Sequence, residues 1–244
     1  MKKLFFLFPI FLLSCGHSST ILQEESFDPP PVSNNNLSNR SSSANISPTT
    51  QPTAGSPCQG FIHAVVRFEP GAGAGFGQNA FPQVVFGAPQ GGGSIRGGLD
   101  VLSLGDHGKI ILDMSPCEIT DKEGIDFIVF ENAFWIGGSE QNPFAELGVV
   151  SVSEDGENFV AFPCRSATLP YTGCTGWRPV RSSTASGISP FDVDNAGGDP
   201  FDLATIGVQK TRYILIKDIS GGGYPPSIGF DLDAIAVVNG VSTQ

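Results

Sequence analysis

The sequence predicts an all-β fold: a single jelly-roll-like β-sandwich over residues 57–244, preceded by a linker and an export signal. Three observations carry that expectation. From Pro57 to Gln244 no stretch of about 12 residues shows a helical apolar stripe free of Gly or Pro. The apolar segments are instead short, rich in β-branched residues and Phe, and bounded by Gly, Pro, Asn and Asp, as strands of a sandwich or barrel are. Finally, Val149 to Val160 alternates in polarity and runs into Asp155-Gly156, a dipeptide whose positive φ suits a tight hairpin turn. Some 188 residues suit one domain of this class, and no internal repeat of the kind that builds propellers or solenoids is present.

In chain order the expected strands are Phe61–Phe68, Gln83–Phe86 between Pro82 and Gly87, Lys109–Asp113 after the turn Gly105-Asp106-His107-Gly108, and Asp126–Asn132. They continue with Glu146–Ser153, its hairpin partner Phe159–Pro163, Arg212–Asp218 and Asp231–Val238. Each is an apolar or alternating run of strand length.

The N-terminus reads differently. Lys2 and Lys3 precede an apolar run from Leu4 to Leu13, too short for the roughly 20 residues that span a bilayer and of the length of a signal h-region. Leu12-Leu13-Ser14-Cys15 resembles the bacterial lipobox, which implies cleavage after residue 14 and acylation of Cys15. Two or more acyl chains anchor a protein stably to a membrane that it does not cross. Gly16, rather than Asp, follows the cysteine, which in lipoproteins implies delivery to the outer membrane or cell surface.

Residues 15–56 are Ser, Asn, Thr, Pro and Gln with scattered single apolar residues and no period, a composition unable to offset the entropy of ordering. The 41 residues from Gly16 to Ser56 span roughly 35 Å as a flexible chain, enough to hold a domain clear of lipid headgroups.

Four cysteines remain beyond Cys15, namely Cys58, Cys117, Cys164 and Cys174. An even number in an exported chain points to disulfides. Of the three pairings, Cys164–Cys174 with Cys58–Cys117 is favoured, because Cys164 and Cys174 flank one short loop. Zinc fits poorly: there is no C-x₂-C, and His63 and His107 lack ligand spacing.

Without Lys2 and Lys3 the chain carries 11 Lys and Arg against 24 Asp and Glu, a balance of −13. Nucleic acid is set aside as a partner, since phosphate binding needs clustered cations. Acidity suits hard cations, and Asp192, Asp194, Asn195 and Asp199 bring four oxygen-bearing side chains into eight residues alongside Gly197 and Gly198. Calcium takes six to eight such oxygens, so this loop is the expected Ca²⁺ site; the alternative is an Asx-rich turn that caps its own backbone. Asp202, Asp231 and Asp233, or Glu131 with Asn132, are further candidate ligands.

Catalysis is not expected. No G-x-S-x-G elbow presents a serine to His63 or His107, and the Gly-rich runs at 71–77 and 91–93 lack the Gly-Lys-Ser/Thr ending of a phosphate loop. Carboxylates abound, but glycosidases require two of them facing each other about 5 to 9.5 Å apart, and abundance alone does not identify such a pair. For ligand binding the candidates are aromatic residues outside clear strands, Tyr171, Trp177 and Tyr224, with Arg178 beside Trp177. A ring can stack on a sugar while neighbouring polar groups fix its hydroxyls. Trp135, directly after the Phe134 strand end, is read as core cover.

Several segments carry a resemblance as a set. "VSVSEDGENFVAF" resembles the strand, turn and strand signature of discoidin-type, galactose-binding-like sandwiches. With "GGLDVLSLGDHGKIIL", "GIDFIVFENAF", "AGGDPFDLATIG", "TRYILIKDI" and "GFDLDAIAVVN" it is similar to a family of uncharacterised bacterial cell-surface proteins, over most of Gly97 to Asn239. The resemblance implies a fold and a surface location, not a catalytic residue or a ligand. The segment Cys164 to Pro179 and the N-terminal lipid anchor depart from the shared pattern. The function expected is therefore a non-catalytic, lipid-anchored surface module that binds a glycan or another surface protein. The alternatives are a structural or adhesive envelope component without a small ligand and, third, a secreted hydrolase.

Overall fold

A computed structural model describes residues 53–244; the expected signal segment 1–14, Cys15 and the expected linker as far as residue 52 lie outside the described residues. As expected, the domain is an all-β sandwich, with helical geometry confined among the described residues to four short 3₁₀ turns.

The first sheet is built around β18 (Ala234–Ser242), with β1 (Pro57–Phe61) on one edge and β5 (Cys117–Thr120) and β6 (Phe127–Phe130) on the other. Ser242 to Gly240 face β5 and Val237 to Ala234 face β6, so these two strands form one line interrupted at residues 121–126. Asp126 stitches the interruption. Its carboxylate accepts the N–H groups of Lys122 and Leu203 and the Asn239 amide, while its carbonyl accepts from Val238 and Asn239. Beyond them β12 (Asp199–Phe201) pairs with β6 and β13 (Lys210–Thr211) with β5. The second sheet runs β2 (Ala64–Glu69), β4 (Lys109–Asp113), β14 (Tyr213–Asp218) and β9 (Gly148–Ser153), with β10 (Val160–Ala161) and β11 (Cys174–Thr175) sharing the outer edge of β9. Every pairing is antiparallel. Three short ribbons complete the fold: β3 (Leu102–Ser103) with β17 (Asp231–Leu232), β7 (Phe134–Trp135) with β8 (Pro143–Phe144), and β15 (Gly223–Tyr224) with β16 (Ser227–Ile228).

Alternation along the strands produces the core. Ile110 and Leu112, Val150 and Val152, and Ile214 and Ile216 point from the second sheet onto Ile119, Phe127, Val129, Ile235 and Val237 of the first. β6 reads as an unbroken apolar run because it is covered on both faces: Ile128 and Phe130 turn outward and pack against Val180 and Ala196 of the segment leading to β12. That segment carries the candidate site.

Four expectations need correction. Phe61–Phe68 is two strands in different sheets, and the chain crosses at buried Ile62, after which the His63 N–H opens a new ladder on the Asp113 carbonyl. Gln83–Phe86 is a 3₁₀ turn, closed by Val85 N–H to the Pro82 carbonyl, that drives Val84 and Val85 into the core. Asp231–Val238 breaks at Asp233, whose N–H donates to the Phe130 carbonyl. The hairpin is real, but its turn is wide: the last ladder pair is Val152 with Val160. Asp155 organises the loop, its carboxylate accepting from the Glu157 and Asn158 N–H groups, the Asn158 amide and the Ser153 hydroxyl, with Gly156 at φ 80°.

Both favoured disulfides are present. Cys58–Cys117 joins the strands on the two edges of β18 and passes over Gly240, where a Cβ would stand 2.6 Å from the Cys117 Sγ.

Candidate functional site

The second disulfide, Cys164–Cys174, closes a 10-residue separation with its Cα atoms 4.4 Å apart. It ties a surface loop back to β11, which holds the edge of β9 only through Cys174 and Thr175. The chain then turns at Gly176, φ 90°, where any Cβ would meet the Glu146 carbonyl at 2.1 Å. Trp177 and Arg178 therefore emerge from a fixed base rather than from a free loop.

Asp199 holds that base from below. Buried in β12, it accepts hydrogen bonds from the Gly176 N–H at 2.7 Å and the Trp177 N–H at 3.2 Å. The Arg178 guanidinium lies 4.9 Å from the Trp177 ring centroid, and its Nε stands 4.0 Å from Asp199 Oδ1, so one cation contacts both the ring and the acid. Tyr171 packs edge-on against Trp177, 6.1 Å between centroids.

Trp177 and Arg178 border a cleft of about 440 Å³. Trp135 from β7 also lines it, as does Arg181, and the exposed Glu140 and Asp194 add carboxylates. A smaller recess of about 210 Å³ shares Trp177 and Arg178 and reaches Tyr171 and Asp199. Two polar atoms there are buried without a hydrogen-bonding partner among the described residues, Arg181 Nε and Asp199 Oδ1. The cleft thus combines apolar rings with one unmatched donor, Arg181 Nε, and the recess beside it holds an unmatched acceptor, Asp199 Oδ1, the mixture that orients a polar ligand with an apolar face.

Trp177, Arg178 and Tyr171 are brought together as ligand candidates. Tyr224 is not: it lies on the β15 ribbon, 88% exposed, and lines neither cavity. Trp135, read from sequence as core cover, is a wall of the cleft, because β7 leaves the sandwich and pairs only with β8. Arg181 gave no signal beyond its nearness to Trp177. The acidic loop follows the Asx-turn alternative: Asp192 Oδ1 accepts from the Asp194 and Asn195 N–H groups and Oδ2 from the Asn195 amide. Asp194 points to the cleft and Asp199 to the base of Trp177, so the three acids do not bring ligand atoms within 4.8 Å of one another.

Burial pushes the Asp199 carboxyl up to about 7, against the lowering effect of the Trp177 and Gly176 N–H groups and Arg178. An unfolded Asp titrates near 3.9. The folded state therefore keeps its proton over a range in which the unfolded state has lost it. The stability this contributes is complete below about pH 4 and is lost as pH rises through about 7. Thermal melts from pH 4 to pH 8 are expected to show a shallower decline for Asp199→Asn than for the wild type; superimposable slopes would contradict this.

No known family profile, curated protein or solved structure matches this chain.

Proposed function

We propose that the protein is a non-catalytic lipoprotein, anchored through Cys15 at the outer membrane or cell surface, whose galactose-binding-like sandwich binds a glycan in the Trp177 cleft. The observation that carries this reading is the joining of Trp135, Trp177 and Arg178 in one cavity with the unmatched Arg181 Nε, and of Asp199 Oδ1 in the recess beside it. A sugar supplies what each of them lacks: an apolar ring face, a hydroxyl oxygen to accept and a hydroxyl hydrogen to donate. The exposed Glu140 and Asp194 carboxylates share one solvent environment, and the buried Asp199 carboxylate is engaged by the Gly176 and Trp177 N–H groups, which fits a role in positioning Trp177. The lipid anchor rests on Leu12-Leu13-Ser14-Cys15 and the polar linker behind it.

Envelope polysaccharides presented on an array test the cleft. The wild type is expected to retain at least one glycan class and Trp177→Ala to bind it about tenfold more weakly, a loss of about 1.4 kcal/mol. Tyr224→Ala, on the separate ribbon, should bind as the wild type does. Absence of glycan binding, or equal binding by Trp177→Ala, overturns the reading.

A further inference from the structure

A second polar centre lies away from the Trp177 cleft, where three segments meet. Glu131 follows the end of β6, Glu146 precedes β9 and Asp231 opens β17; they are 2%, 4% and 3% exposed. The Asp231 N–H donates to Glu131 Oε1 at 3.2 Å, and Asp231 Oδ2 accepts from the Ser227 hydroxyl at 2.6 Å. The ion pairs among the described residues involve other acids: Glu69, Asp106, Asp113, Glu118, Glu154 and Asp199. Three acids are thus buried together with no basic side chain against them.

Each also keeps a buried oxygen that no hydrogen bond of good geometry satisfies, Glu131 Oε2, Glu146 Oε1 and Asp231 Oδ1, joined by the side-chain oxygen of Asn132; Asn132 and Ser103 lie close enough to favour the charged form of Asp231 without satisfying Oδ1. Buried polar atoms in folded proteins are nearly always satisfied, and buried carboxylates are paired or coordinate metal. The backbone closes on these oxygens. A Cβ at Gly223 would lie 2.7 Å from Glu146 Oε1, and one at Gly97 2.2 Å from Asn132 Oδ1. Burial and mutual repulsion act together on the acids: Glu131 is held well above its ordinary range, and Glu146 is pushed up to about 8, by burial first and then by Asp231 and Asp218.

Two tighter acidic groups make a useful contrast. Asp106, His107 and Asp218, and Asp121, Asp126 and Asp202, each bring ligand atoms within 4.8 Å of one another. Their buried members are already satisfied, Asp218 by the N–H groups of His107, Ser220 and Phe230 and Asp126 by those of Lys122 and Leu203. Glu131, Glu146 and Asp231 do not bring ligand atoms this close together, but each keeps a buried oxygen that no hydrogen bond satisfies.

We propose that Glu131, Glu146 and Asp231, with the Asn132 side-chain oxygen, bind a hard divalent cation of the calcium class. Four oxygens leave room for the water and carbonyl ligands that complete six to eight. The cation offsets three negative charges and ties the end of β6, the entry to β9 and β17 into one unit; the β15–β16 ribbon, through Ser227, closes over it. The calcium expected in the Asp192–Asp199 loop is placed here instead.

Chelator-treated full-length protein, with millimolar CaCl₂ added back, tests the assignment by calorimetric titration and thermal melting. Calcium is expected to bind with a stoichiometry of one and to raise the melting temperature. Glu146→Gln keeps the side-chain volume but cannot supply a carboxylate to the cation, and is expected to weaken calcium binding at least tenfold. Glu131→Asp, which keeps the charge and shortens the reach, should weaken it too, and gives the same reading if the first variant does not fold. Asp192→Asn and Trp177→Ala should keep the full calcium increment, separating this site from the acidic loop and from the glycan cleft. No binding by the wild type, or an increment that survives Glu146→Gln, overturns the assignment.

Discussion

Replacing Cys58 and Cys117 together by alanine is expected to destabilise the folded domain by about 4 kcal/mol, the chain-entropy value for a loop of this length. The bond spans a sequence separation of 59 and clasps the two edges of β18. Its loss frees the unfolded chain and leaves the first strand of the domain held by its β18 ladder, which is itself interrupted by a bulge between Cys58 and Gly60. The other disulfide closes a separation of only 10, so alanine at Cys164 and Cys174 should cost less, about 3 kcal/mol in the same treatment. Urea unfolding of both double variants gives the comparison directly. Equal losses, or a larger one for the short loop, would contradict the account of what β1 depends on.

Phe127→Ala is expected to cost about 3–5 kcal/mol, as deletion of a fully buried aromatic side chain does. Phe127 has no exposed surface and lies between Phe201, stacked at 5.1 Å, and Phe162, edge-on at 6.0 Å. Phe162 and Phe201 also touch each other, 4.8 Å between centroids. Phe162 follows β10 and Phe201 ends β12, so this ring cluster is a joint between the sheets and the segment that leads to Trp177. A loss below about 1 kcal/mol in the same unfolding experiment would mean that the cluster collapses around the cavity, and would remove Phe127 as a keystone of the sandwich.

Much of this architecture was legible in the chain. Lys109–Asp113 is a strand over the expected residues because its alternation is undisturbed and Gly108 bounds it. The cysteine pairing followed from one short loop. What failed was long-range geometry. Nothing local in Phe61–Phe68 marks the crossing between sheets at Ile62, since both sheets accept the same apolar alternation. Gln83–Phe86 is apolar enough for a strand but finds no neighbour to pair with, and so closes on itself. Asp155-Gly156 suggested a tight hairpin turn, yet the Asp155 carboxylate draws in enough local N–H donors to stabilise a wider loop.

The site was legible in the same uneven way. Trp177, Arg178 and Tyr171 are close in sequence, and a short disulfide loop keeps them together. Trp135 joins them from a distant ribbon, which its position after a strand could not reveal. The acids point the same lesson: Asp192 is satisfied by its neighbours Asp194 and Asn195, whereas Glu131 and Asp231, 100 residues apart, meet in the interior.

The chain contains two tryptophans, and both Trp135 and Trp177 line the cleft, so intrinsic tryptophan emission reports on that cavity alone. Titrating the protein with a polysaccharide that it retains on an array should change this emission saturably, and in Trp177→Ala the remaining Trp135 signal should saturate at about tenfold higher ligand concentration. Saturable glycan binding that leaves the emission unaltered would place the ligand elsewhere and contradict the proposed cleft.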